Sequence, residues 1–170
     1  YRRQRQMCIR DSYWVEPPKV ARTYRSCKHV AYLPNLCVNE RQNSVVAALR
    51  FFNQIDFYDL KGTYQRSFTY GKEPIVPLLK KNDTQVDVLG TTKCFIDIFG
   101  TDRYVYCLYD GSVDFSNLST LLVLSWDGQL KKRLNFDRSI KRIAVDPSDG
   151  FLVALALDES GALDVVKYSI

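Results

Sequence analysis

The chain has 170 residues, 46% hydrophobic and 25% charged, which excludes a disordered or fibrous protein and suits one globular domain with a sizeable core. Aromatics reach 13%, with eleven Tyr and nine Phe, favouring strands. The net charge of +5 sits largely in residues 1–12, where Arg2, Arg3, Arg5 and Arg10 face Asp11 alone, and no apolar run reaches the ~18 residues that span a bilayer.

The first ten residues, YRRQRQMCIR, are basic and lack the apolar stretch of a signal peptide. A basic tail can bind nucleic acid or acidic lipid, but an unstructured end is the favoured reading. The string QMCIRDS at residues 6–12 resembles a translated sequencing-adapter read-through. That resemblance implies that residues 1–12 are a non-native disordered tail, that the native protein starts near Tyr13, and that an upstream part is missing.

From about residue 36 the pattern is strand, turn, strand. Residues 45–52 (VVAALRFF) and 55–60 (IDFYDL) are strand-length runs, and Lys61-Gly62 turns the chain into residues 63–70 (TYQRSFTY). Residues 71–93 hold two prolines and a charge cluster, and read as a long connection with one short extended piece. Strands resume at 94–99 (CFIDIF) and 104–109 (YVYCLY), separated by a loop at 110–117 from 120–126 (TLLVLSW). Asp127-Gly128 turns into 130–136, and 140–145, 151–157 and 163–170 complete the set. No well-capped helical period of ten residues or more occurs.

These strands repeat. Val45-Val46-Ala47, Tyr104-Val105-Tyr106 and Phe151-Leu152-Val153 align at shifts of 59 and 47 residues, and the same shifts align Leu36-Cys37-Val38, Phe95-Ile96-Asp97 and Arg142-Ile143-Ala144. A third strand follows in each unit (55–62, 121–128, 163–170), and a more polar fourth in the first two. Apolar inner strands and a polar outer one are the gradient of a propeller blade. The expected fold is therefore all-β: an incomplete β-propeller of about three four-stranded antiparallel blades, occupying residues 13–170. The last repeat stops after its third strand, as expected where a strand from elsewhere closes the ring.

The run from AYLPNLCVNE (residues 31–40) through FIDIFGTDRYVYCLYDG to LLVLSWDGQLKKRLNFDRSIKRIAVDPSDGFLVALAL resembles the TolB-like six-bladed propeller proteins of Bacteroidetes. The resemblance covers about residues 31–170, the last three blades of six. It implies a lipoprotein at the periplasm or cell surface, anchored through an N-terminal lipid-bearing cysteine that this fragment lacks. It supplies no catalytic residues. A WD40 propeller competes through Trp126-Asp127, but no Gly-His dipeptide occurs and the dipeptide does not recur at the equivalent positions.

Chemistry-bearing residues are sparse. Cys8, Cys27, Cys37, Cys94 and Cys107 form no CxxC pair, and His29 is the only histidine, so a closed zinc site is not expected. His29 beside Ser26 or Cys27 reads as a surface or packing residue rather than part of a nucleophilic pair. Asp110, Asp127 and Asp149 each precede glycine and read as turn residues; Asp56, Asp59 and Asp146 carry no clearer signal. Asp97 differs: it lies in the inner strand CFIDIF, from where it could face the central channel and bind a ligand or metal. A hairpin centred on Gly100-Thr101 would set Cys94 opposite Cys107, where an oxidising compartment permits a disulfide, free buried thiols being the favoured state. Asn82-Asp83-Thr84 and Asn117-Leu118-Ser119 match glycosylation sequons, idle in a bacterium.

The expectation is a non-catalytic binding or scaffolding propeller of the cell envelope. It takes a protein or small ligand on one face, uses no cofactor, binds no nucleic acid, and meets the membrane only through its missing anchor. A calcium-dependent lactonase-type hydrolase, with convergent acidic and Asn side chains at the channel mouth, is one alternative. A sensor or regulatory domain is another.

Overall fold

A computed structural model describes residues 24, 26–81, 84–117 and 119–170. The tail expected at 1–12, the start expected near Tyr13, Cys8, and Asn82-Asp83 of the first sequon lie outside the described residues.

Eleven strands form three antiparallel sheets, each laid down in chain order. The first holds β1 (Pro34–Asn39), β2 (Ser44–Leu49), β3 (Gln54–Tyr58) and β4 (Tyr64–Thr69). The second holds β5 (Lys93–Gly100), β6 (Tyr104–Ser112), β7 (Thr120–Ser125) and β8 (Leu130–Asn135). The third holds β9 (Ile140–Val145), β10 (Phe151–Leu157) and β11 (Leu163–Ser169). A four-residue helix, α1 (Lys28–Ala31), precedes them. β1 lies beside β5 and β5 beside β9, so the innermost strands of the three sheets are neighbours. These are three propeller blades, the third with three strands.

Burial explains why the strands read as they do. In β7, Leu121 and Val123 point into one seam and Leu122 and Leu124 into the other, so a sheet covered on both faces becomes an unbroken apolar run. The first seam packs Val46, Ala48, Ile55 and Phe57 against Cys107, Leu122, Leu124 and Trp126. The second packs Ile96, Tyr106 and Leu108 against Ile143, Val145, Leu152 and Ala154. The outer strands β4 and β8 are largely exposed, which matches their polar sequences. The long connection after β4 carries the expected short extended piece, a bridge between Leu79 and Val86. It packs beside α1, where Tyr32 stacks on Phe52 with ring centroids 4.8 Å apart.

Backbone geometry fixes one close approach. A Cβ on Gly100 would sit 2.9 Å from the Trp126 ring, inside contact distance, so the strand end accepts only a hydrogen there.

The hairpin between β5 and β6 differs from the sequence expectation. Gly100 pairs with Val105 and Ile98 with Cys107, so Cys94 does not stand opposite Cys107. The turn lies two residues later, because Thr101 organises it: its backbone N–H bonds the Tyr104 carbonyl at 2.9 Å and its hydroxyl accepts the Tyr104 N–H at 3.1 Å. Irregular pairing between Lys93 and Asp97 displaces Cys94 further. Cys27, Cys37, Cys94 and Cys107 are all free.

Candidate functional site

The turns that follow β1, β5 and β9 meet at one end of the three blades. They line an open cleft of about 470 Å³ to which every blade contributes: Val38 and Arg41 from the first, Phe99 and Asp102 from the second, Val145 and Pro147 from the third. Its apolar wall continues along β1, where Leu36 and Val38 are 59% and 57% exposed. Two exposed apolar side chains on an inner strand are a cost in water that a ligand or a further surface offsets. At the rim Arg41 Nη1 meets Asp102 Oδ2 at 2.6 Å, across the seam between two blades. Asn39 Nδ2 reinforces that contact by donating to the Thr101 carbonyl at 3.3 Å. The lining is mixed: apolar Val38, Phe99, Val145 and Pro147 stand beside Asn39, Glu40, Thr101 and the exposed Arg41–Asp102 pair.

The opposite end carries the longer loops and an unusual set of buried charges. Lys93 is 5% exposed and Asp110 3%. Lys93 Nζ donates to the carbonyls of Leu89, at 3.1 Å, and of Val113. Burial holds its ammonium below the ordinary lysine value, against the opposing pull of Asp87, Asp114 and Asp110. Asp110 Oδ1 accepts both the N–H and the hydroxyl of Ser112, whereas its Oδ2 is buried without a partner. Asp110 was expected in a loop, as a turn residue before Gly111. It instead belongs to β6, which runs on to Ser112.

Asp97 stands on β5 as expected, and its carboxylate is engaged. Oδ2 accepts the backbone N–H of Ile143 on β9 at 2.9 Å, and Oδ1 lies 3.5 Å from Arg142 Nη1. Arg142 also donates to the Ile96 carbonyl at 3.1 Å. The residue therefore joins two inner strands. His29 lies on α1 and is exposed. Asp127 holds a turn, as the sequence suggests, and so does Asp59, whose Oδ1 accepts the N–H groups of Lys61 and Thr63 at 2.9 and 2.8 Å. Asp56 is buried on β3, bonded by Gln54 and Ser67, and burial pushes its carboxyl above the ordinary range. Cys37 and Cys94 are both pushed up to about 12 by burial, and Cys107 well above its ordinary value, so none is an activated nucleophile.

The Arg41–Asp102 rim and the burial of Lys93 and Asp110 have no clear signature in the sequence. The first joins residues 61 apart in the chain. The second left a weak trace: a lysine opening the apolar strand CFIDIF and Asp-x-Ser at the end of β6.

No protein-family model matches the chain, and no curated protein matches it. Among solved structures it is similar to a member of the DUF4221 family from Bacteroides vulgatus, with a TM-score of 0.55 and 10% identity over 82% of this chain and 46% of that one. A second similar structure is the extracellular domain of a candidate one-component system from B. thetaiotaomicron, with a TM-score of 0.47 and 10% identity over 79% of this chain and 14% of that one. The chain thus spans less than half the length of either. At this identity the likeness to the DUF4221 member is one of fold. No helix among the described residues is long and apolar enough to cross a membrane.

Proposed function

We propose that this chain is part of a non-catalytic binding propeller of the bacterial cell envelope, and that it takes its ligand in the cavity where the three inner strands end. The observation that carries the reading is the convergence of all three blades on that cavity: apolar Val38, Phe99, Val145 and Pro147 stand beside the exposed Arg41–Asp102 pair and Glu40. Such a site recognises an apolar group next to a charge, as in a peptide segment or a small amphipathic ligand. The envelope location rests on the sequence resemblance to Bacteroidetes propellers, and with it an anchor upstream of this chain. Asp97 serves as a tie between blades beneath that site rather than as a general base, since both of its oxygens are engaged.

The test is a fragment screen by amide chemical-shift mapping on the purified chain, with amphipathic acids, amines and short peptides as probes. Hits should shift Val38, Phe99, Val145 and Asp102, and Val38→Glu should abolish them. Esters, lactones and phosphoesters should show no turnover, with or without added divalent ions. Turnover lost in Asp97→Ala would replace the binding reading with a hydrolase. Hits that map away from the cavity would move the site.

A further inference from the structure

We infer that a second cavity, between β8 and the turn after β9, binds a small organic anion: a carboxylate carried on an apolar body. The cavity holds about 330 Å³ and shares no lining residue with the cleft where the inner strands end, so the inference stands apart from the proposed ligand site. Strand register builds its floor. Tyr106 pairs with Val123 and Val123 with Lys132, so one row across β6, β7 and β8 runs from tyrosine through valine to lysine. That row faces the third blade, with Leu134 on the same face two residues beyond Lys132. Tyr106 and Val123 are each 2% exposed, whereas Lys131 and Lys132 are open to solvent. The cavity therefore has an apolar floor and a cationic mouth.

The one carboxylate side chain in the lining is already engaged. Asp149 accepts the Tyr106 hydroxyl at 2.8 Å and Arg103 Nε at 2.8 Å, while Arg103 Nη2 donates to the Ser148 carbonyl at 2.7 Å. These bonds hold the guanidinium from behind and leave its Nη1 without a partner among the described residues. Lys131 Nζ donates to a neutral acceptor, Gln129 Oε1, at 2.8 Å, and Lys132 has no hydrogen-bond or ion-pair partner among the described residues. Three cations thus line the cavity against a single aspartate that one of them already neutralises, and the remaining field is positive. A cationic ligand meets repulsion there. An anion without an apolar body leaves the Tyr104, Val123 and Leu134 wall in water. A carboxylate on an apolar body satisfies both, with a fixed guanidinium and a mobile ammonium to receive its oxygens. The volume lies at the low end of ligand pockets, about 300–1,000 Å³, and so limits the ligand to a small one.

The test is an amide chemical-shift titration of the purified chain with octanoate and 3-phenylpropionate, beside octylamine, which reverses the charge, and acetate, which lacks the apolar body. Expected are saturable shifts at Tyr104, Val123, Lys132 and Leu134 with the two apolar carboxylates, weakened by added salt, and binding of octylamine and acetate weaker by about tenfold or more. Lys132→Ala should weaken octanoate binding about tenfold, and Lys132→Arg should retain it. Lys132 is exposed on an outer strand, so both variants keep the fold, which thermal melts check. Absence of saturable shifts overturns the inference. So does octylamine binding as tightly as octanoate, or octanoate binding unchanged when Lys131→Ala and Lys132→Ala are combined. Shifts confined to Val38, Phe99 and Val145 also overturn it, because they place the carboxylate in the cleft instead.

Discussion

Asp97 Oδ2 accepts the backbone N–H of Ile143 at 2.9 Å, and so ties the inner strand of one blade to that of the next. An inner-strand amide facing a neighbouring blade has no ladder partner there, and a carboxylate supplies one. Asp97→Ala should therefore act on stability first, costing about 1–3 kcal/mol through the orphaned amide. Asp97→Asn should cost less, since its carbonyl oxygen can still accept that bond. Urea melts of both variants read the difference. Equal losses in the two would show that charge pairing with Arg142 matters more than the amide bond.

Gly100 tests the packing of the first seam. Alanine there drives its methyl to 2.9 Å from the Trp126 ring, which is held by an indole N–H bond to the Thr101 carbonyl at 3.0 Å. Overpacking should cost about 1–3 kcal/mol. Gly100→Ala combined with Trp126→Phe, which shortens the obstructing ring, should recover part of that loss in thermal melts. No recovery would mean that the backbone at Gly100, rather than the ring, resists the change.

The architecture was legible because burial on both faces leaves a coarse sequence signal. The apolar runs of β2 and β7, and the polar β4 and β8 outside them, recur at blade spacing, and observed boundaries fall within a few residues of those expected. The candidate sites were not legible, for two physical reasons. Arg41 and Asp102 meet only once the first two blades pack, and no local pattern encodes that. Asp110 has the sequence of a turn residue, Asp before Gly, and only the extension of β6 to Ser112 shows that its side chain is buried. The cysteine register failed more narrowly. Thr101 moved the turn by two residues, and in a hairpin that reassigns every cross-strand partner.

The buried thiols make a chemical prediction. Burial pushes Cys37 and Cys94 up to about 12 and Cys107 well above its ordinary value, so at pH 8 almost none of their thiolate exists in the folded chain. Native protein should therefore alkylate at these three positions many times more slowly than in denaturant, and peptide mapping after iodoacetamide separates them from Cys8. Rapid native labelling of Cys107 would mean that the first seam opens on the timescale of the reaction.

The second seam should show a distinct acid dependence through Asp149. Tyr106 donates its hydroxyl to Asp149 Oδ1 at 2.8 Å, Arg103 Nε lies 2.8 Å from Oδ2, and Arg103 Nη2 donates to the Ser148 carbonyl at 2.7 Å. Burial alone would raise this carboxyl, but its bonds from Thr101, Tyr106 and Arg103 outweigh that and hold it below the ordinary aspartate range. A depressed carboxyl stabilises the fold above its unfolded-state pKa and loses that contribution as pH falls through the folded-state value. Asp149→Asn removes the charge and, because Asn tolerates the left-handed φ of 60° found here, keeps the turn. At pH 7 the variant should be less stable than wild type by about 1–3 kcal/mol, and the gap should close as pH falls below about 4. Arg103→Ala, costly in the wild-type background, should cost little in Asp149→Asn, because its charge partner is already gone. Urea melts of the four proteins at pH 7 and at pH 3 measure both effects. A gap that stays constant between the two pH values would assign the loss to altered turn geometry instead of to the ion pair.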